Sequence, residues 1–175
     1  KPDLRFGMPI VDVAAAVAGR AFPPFEGAFV GGLRAPGAAA WTRKELDALT
    51  DFVRAPHRGA KGLVWARYGE DGSLKSSADK FFDEAALRRW AAALDAQPGD
   101  MLLLVADARP AQARRILGSL RLEVASRLGL HQEGGWSLLW VVDFPMFEQD
   151  EATGALLPAH HPFVAPNPED AHLLE

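Results

Sequence analysis

The chain has 175 residues, the size of one ordinary domain, and its 49% hydrophobic and 24% charged residues exclude a disordered tail or a fibrous repeat. It contains no cysteine, so disulfide frameworks, thiolate zinc sites, iron–sulfur clusters and cysteine nucleophiles are excluded. The net charge of −4 is laid out unevenly: all 19 Lys and Arg lie at or before Arg127 with 15 of the 23 acids, whereas residues 128–175 carry eight acids and no base. A solvated acidic tail explains this split, and so do two segments of different origin.

The opening, Lys1 to Pro9, has no helical period and two prolines, and reads as an extended lead-in. Residues 10–18 are Ala-rich and suit a short, weak helix. Phe29-Val30-Gly31-Gly32-Leu33, followed by Pro36-Gly37, reads as a strand running into a turn, its glycines marking an edge or a close backbone approach. Thr42-Arg43-Lys44-Glu45 is a capping box, and Leu46, Leu49 and Val53 carry the helix until Pro56 stops it. Leu63-Val64-Trp65-Ala66 forms a second strand, with a turn at Glu70-Asp71-Gly72. Residues 83–94 place Leu87, Trp90, Ala91 and Leu94 on one helical face.

Met101-Leu102-Leu103-Leu104-Val105, five apolar residues between turn signals, suits a strand buried on both faces. Pro110 opens a helix striped with Ala113, Ile116, Leu117, Leu120 and Val124 and closed by Gly129. Leu138 to Val142 reads as a further buried strand. After Gln149 the prolines predict a long irregular segment. On spacing alone, residues 28–142 suggest three βα units and a fourth strand, with strand direction left open. No run approaches the ~18 apolar residues of a membrane helix, and the opening does not resemble a signal peptide, so a soluble protein is expected.

Standard chemistry motifs are missing from the sequence. There is no phosphate-cradling Gly-x-x-x-x-Gly-Lys-Ser/Thr, no dinucleotide loop after Gly31-Gly32 and no Gly-x-Ser-x-Gly elbow. Asp143, Glu148, Asp150 and Glu151 lack the spacing of a calcium loop and read as a solvated loop. His160-His161-Pro162-Phe163 is the one polar cluster with chemistry in reach. Its imidazoles could donate to a carboxylate or phosphate, but neighbours in an extended chain face opposite ways and make a poor metal site, so no metal site is expected. Surface or structural histidines are the plainer alternative. Arg114, Arg115 and Arg121 crowd one helix and could follow a phosphate backbone, although solvated helix arginines are the commoner case.

The lead-in Lys1-Pro2-Asp3-Leu4-Arg5-Phe6-Gly7, the run Trp140-Val141-Val142-Asp143-Phe144-Pro145-Met146-Phe147-Glu148 and His160-His161-Pro162-Phe163 together resemble bacterial-type aspartyl-tRNA synthetases. Between them Leu33-Arg34-Ala35-Pro36-Gly37, Thr42-Arg43-Lys44, Gly59-Ala60-Lys61-Gly62-Leu63, Gly99-Asp100-Met101 and Leu120-Arg121-Leu122 are similar to the GAD domain inserted in that enzyme's catalytic domain. The resemblance implies an α+β fold, mainly antiparallel sheet packed with helices, and replaces the parallel arrangement that spacing suggests. It implies catalytic-domain segments at 1–20 and 137–175 around a GAD insertion at 21–136.

By the same resemblance the parent is a class II ligase, dimeric and cytoplasmic, that joins L-aspartate to tRNA using ATP with Mg2+. His160 and His161 would line the aspartate and ATP pocket, His160 holding aspartate. Arg114, Arg115 and Arg121 are the residues for a tRNA contact. The class II motifs 1, 2 and 3 do not occur in this sequence, so the 175-residue chain by itself is expected to be inactive, to contain no catalytic residue and to hold no cofactor. The alternative is a non-catalytic module that touches the tRNA acceptor arm or another protein domain.

Overall fold

The computed structural model describes residues 3–19, 21–131, 138–142, 144–150, 153–159, 165 and 168–173. The chain forms two compact units, Lys1–Gly134 and Gly135–Glu175.

In the first unit the elements run β1 (Val11–Asp12), α1 (Ala14–Val17), β2 (Phe29–Ala35), α2 (Arg43–Arg54), β3 (Val64–Tyr68), β4 (Leu74–Ser76), α3 (Glu84–Ala93), β5 (Met101–Asp107) and α4 (Pro110–Arg127). The strands form one sheet in the order β1-β2-β5-β3-β4, and every neighbouring pair is antiparallel. The fold is therefore α+β, with the antiparallel sheet that the family resemblance implies in place of the parallel units that spacing suggests. Hydrophobic runs report how deeply a strand is buried, not which way it points, so spacing could not choose.

β5 occupies the middle of the sheet, and its alternation divides the core in two. Met101, Leu103 and Val105 join Leu33, Leu46, Leu49, Val53, Ile116, Leu117 and Leu120 beneath α2 and α4. Leu102 and Leu104 join Val30, Phe82, Leu87 and Trp90 beneath α1 and α3. Five consecutive apolar residues are what a strand covered on both faces needs.

The helix ends follow their local chemistry. The Thr42 hydroxyl accepts from the Glu45 amide while the Glu45 carboxylate accepts from Thr42, a complete capping box. Asp83 caps α3 by accepting the amide of Ala86 at 2.9 Å. Pro110 stands in the first turn of α4, and Gly129, at φ +63°, follows its end.

β2 is longer than the sequence suggests, and its glycines mark a close approach within the sheet rather than an edge. A Cβ built on Gly31 would lie 2.5 Å from Leu117 Cδ1, so glycine lets α4 seat against the strand without the Leu117 side chain having to shift. Residues 10–18 divide into β1 and the short α1. β4, three residues beyond the turn at Gly72, completes a hairpin with β3.

The second unit departs from two expectations. Leu138–Val142 carries no regular structure, and Leu138 and Trp140 are each 93% exposed, so the buried strand expected there is absent. A strand requires a laddered neighbour, and the ladder among the described residues of this unit joins β6 (Phe147–Gln149) to β7 (Leu156–Pro158). The segment after Gln149, expected to be irregular, supplies β7 and a 3-10 turn at Pro168–Leu173. Asp150 nucleates the hairpin turn by accepting the amide and the hydroxyl of Thr153, both at 2.7 Å. That places Asp150 in a turn, as the solvated-loop reading requires.

No helix among the described residues is long and apolar enough to cross a membrane.

Candidate functional site

His160 and His161 lie outside the described residues. Asp143 and Glu151 of the acidic patch lie outside them too. Among the described residues no group of three His, Asp or Glu side chains could hold a metal ion.

The three arginines of α4 have three different surroundings. Arg114 is exposed, with its guanidinium carbon 4.8 Å from the centre of the Phe29 ring. Arg115, also exposed, donates to the side-chain oxygen of Gln112, whose Nε2 in turn donates to the Arg58 carbonyl at 2.7 Å. Arg121 faces inward onto the chain's own lead-in. Its Nε donates to the carbonyl of Met8 at 2.8 Å. Its Nη2 lies within hydrogen-bonding distance of three more carbonyls, those of Asp3 at 2.7 Å, Phe6 at 3.1 Å and Gly7 at 2.9 Å.

The same guanidinium lies 4.3 Å over the Phe6 ring, an attraction worth about 0.5–1 kcal/mol at a half-open site and more when desolvated. Burial lowers the Arg121 pKa, opposed by the negative charge of Asp3. Arginine nevertheless remains the one side chain that stays charged in such a place and offers a planar fork of donors. Residues 3–9 have no ladder of their own, so this cation is where several of their carbonyls find a donor.

The lead-in is bent to suit. Met8 takes φ +65°, a left-handed conformation that costs a residue with a Cβ about 1–2 kcal/mol. Met8 and Phe6 are both buried in the core beneath α2 and α4. The Arg5 guanidinium, hydrogen-bonded to Asp3, holds the Asp3 carboxyl well below the usual carboxylate range. On its far side Phe6 meets the His131 ring edge-on at 5.3 Å. A groove of about 470 Å³ runs between lead-in and helix, lined by Asp3, Leu4, Ile10, Arg115, Ser119 and Arg121 among others.

A phosphate-binding stripe needs cations turned to solvent. Arg114 and Arg115 are exposed, while Arg121 is engaged by backbone. Sequence reasoning placed Arg114, Arg115 and Arg121 on one helix but gave no sign that residues 3–8 lie across Arg121. The carbonyls of Asp3, Phe6, Gly7 and Met8 are the functional groups that sequence reasoning missed, and no side-chain motif announces them.

Residues 25–117 match the GAD domain family. Along its whole length the chain is 47% identical over 176 positions to the aspartate–tRNA ligase of Bacteroides fragilis. It is 48% identical over 176 positions to that of Porphyromonas gingivalis, and 44% identical over 177 positions to that of Flavobacterium psychrophilum. In each comparison all of this chain is covered, and it spans about 30% of the relative's length.

Proposed function

This chain belongs to the GAD domain family, and on that premise we propose that it is the GAD insertion of an aspartate–tRNA ligase with flanking catalytic-domain segments. The observation that carries the reading is the 47% identity to such a ligase along the entire chain, beyond the matched GAD residues 25–117. The proposed limits are 1–20 and 137–175 for the catalytic segments and 21–136 for the insertion. The apolar run Leu138–Val142, exposed in its own unit, then has its strand neighbours in the remainder of the parent.

The parent reaction has two steps. The aspartate carboxylate attacks the α-phosphorus of ATP and releases pyrophosphate, giving aspartyl-adenylate. A tRNA 3′-terminal hydroxyl then attacks the acyl carbon and releases AMP. His160 would hold the substrate: a protonated imidazole aimed at the aspartate side chain makes a charge-assisted hydrogen bond to the carboxylate, which the neutral amide of asparagine accepts only weakly. His161 would lie beside it toward ATP. Mg2+ would accompany ATP in the parent, held by groups other than the described residues, which offer it no ligand cluster. The parent is read as a cytoplasmic homodimer, and this chain as inactive alone.

Aspartate-dependent exchange of pyrophosphate into ATP by the intact gene product tests the reading, since it requires only the activation site. Exchange with aspartate and not asparagine, much reduced in His160→Ala, is expected. Exchange equal in variant and wild type would return His160 to a structural role. Absence of exchange would remove the ligase reading.

A second reading, a non-catalytic contact with the tRNA acceptor arm, is favoured by the exposure of Arg114 and Arg115 and excludes Arg121 as a ready phosphate ligand. Titration with tRNA at two salt concentrations checks it: binding that weakens with salt supports it, and salt-independent or absent binding refutes it.

A further inference from the structure

We infer that Arg121 is a positioning residue that joins the insertion to the catalytic segment preceding it and fixes how the chain enters the α+β unit. This rests on the proposed assignment of residues 1–20 to the catalytic domain. Under it, the guanidinium of an insertion helix grips carbonyls of four residues from the other side of the domain limit: Asp3, Phe6, Gly7 and Met8.

Three features separate this contact from ordinary helix packing. The carbonyls come from a segment without regular structure, and one cation gathers them; its Nε and Nη2 take part in all four contacts. The stretch is held in a form it would not adopt alone, with Met8 at φ +65° and both Phe6 and Met8 inside the core. Phe6 also has a second neighbour, His131, at the opposite end of the unit. The incoming and outgoing ends therefore meet on one phenyl ring, with Arg121 on its face and His131 at 5.3 Å. An insertion whose two ends are pinned together turns as one body with the chain that carries it. An insertion joined by two free ends does not.

Lysine cannot replace this arginine. Its ammonium is a point charge on a flexible stem, without the planar fork that reaches several carbonyls and stacks on a ring together.

The test uses the intact gene product as wild type, Arg121→Lys and Arg121→Met, with Arg88→Gln as a control on the exposed face of α3, where Arg88 pairs with Glu84 one turn away and approaches Tyr68, and touches no residue of the lead-in. Two quantities are read. The first is the rate of tryptic cleavage after Arg5, which needs local release of the lead-in, against cleavage after Arg67 within the sheet. In both Arg121 variants the Arg5 site is expected to open about tenfold faster or more, with the Arg67 site unchanged. The second is aspartate-dependent pyrophosphate exchange per folded molecule below the melting temperature. A displaced catalytic segment is expected to lower it about tenfold in both variants and to leave Arg88→Gln at the wild-type rate.

Equal acceleration at Arg5 and Arg67 would show a general loss of stability and overturn the inference. Full exchange activity in Arg121→Met, with the lead-in released, would reduce the contact to local packing and overturn it equally. A wild type without aspartate-dependent exchange would instead remove the ligase reading on which the positioning role depends.

Discussion

Asp100 accepts the backbone amide of Gly37 at 3.0 Å through Oδ1, while its Oδ2 accepts the amide of Gln97 at 2.9 Å. The carboxylate is 6% exposed and fastens the turn after β2 to the turn before β5, with Arg34 3.7 Å away. Gly37 and Gly99 beside it sit at φ +68° and +97°. The motifs Pro36-Gly37 and Gly99-Asp100 thus form two halves of one joint.

Asp100→Asn is expected to destabilise the protein by about 1–3 kcal/mol, because an amide presents one acceptor oxygen where two N–H groups require one each, and its NH2 would face a donor. Urea denaturation followed by tryptophan fluorescence measures this. A loss below half a kcal/mol would show that the second amide finds another partner.

Gly31→Ala is expected to cost about 1–3 kcal/mol through overpacking, since the new methyl would lie 2.5 Å from Leu117 Cδ1 in a core without slack. Gly32→Ala should cost less, because its Cβ would meet Leu94 at 3.3 Å. Thermal melts of the two variants give the order directly, and the reverse order would contradict the close seating of α4 on β2.

Leu102→Ala and Leu103→Ala should each cost about 2–5 kcal/mol despite pointing to opposite faces, because both residues are fully buried in separate halves of the core. If β5 faced solvent on one side, one of the two would be nearly silent in the same denaturation experiment.

Acid should weaken the fold below about pH 5. Among the described residues three carboxyls titrate below their usual range in the folded state: Asp3 through the Arg5 side chain, Glu45 through the Thr42 hydroxyl and Asp71 through the Ser73 hydroxyl. Between the ordinary and lowered values the unfolded chain binds a proton that the folded chain does not, so stability falls as pH drops through that window. Thr42→Ala removes the largest cause for Glu45 and should flatten the acid limb of a stability–pH curve, in addition to the roughly 1 kcal/mol of a lost helix cap.

Much of the first unit was legible because its elements announce themselves locally. Thr42 and Glu45 start α2, Pro110 starts α4, and the run Met101–Val105 states that its strand is covered twice. β4 escaped notice because three residues carry too little alternation to register. The hairpin of β6 and β7 was hidden among prolines, and its cue was the turn chemistry of Asp150 and Thr153. The apolar run Leu138–Val142 misled, because an apolar run predicts a buried strand whereas these residues are exposed and have no laddered neighbour here, and a run of apolar residues does not specify its partner strand. The partners of Arg121 fell outside sequence reasoning for another reason. Periodicity assigns a residue to a helical face, whereas what covers that face was written 113 residues earlier, at Met8. His160 and His161 stand out in the sequence as a polar cluster, but a substrate role is given to them only by the family resemblance, and exchange assays on the parent are its test.

The central place of β5 also governs the order in which this protein can be made. It is the last in chain order of the five strands of its sheet, yet it stands between β2 and β3. While the ribosome is still short of residue 101, β1 with β2 and β3 with β4 can exist only as two separate pairs, each with an open hydrogen-bonding edge. Neither has a finished apolar face. Closure waits for one late segment that must find both, a non-local step of the kind that slows folding and leaves strand edges exposed. Truncation before Met101 should therefore yield aggregating chains rather than a smaller domain.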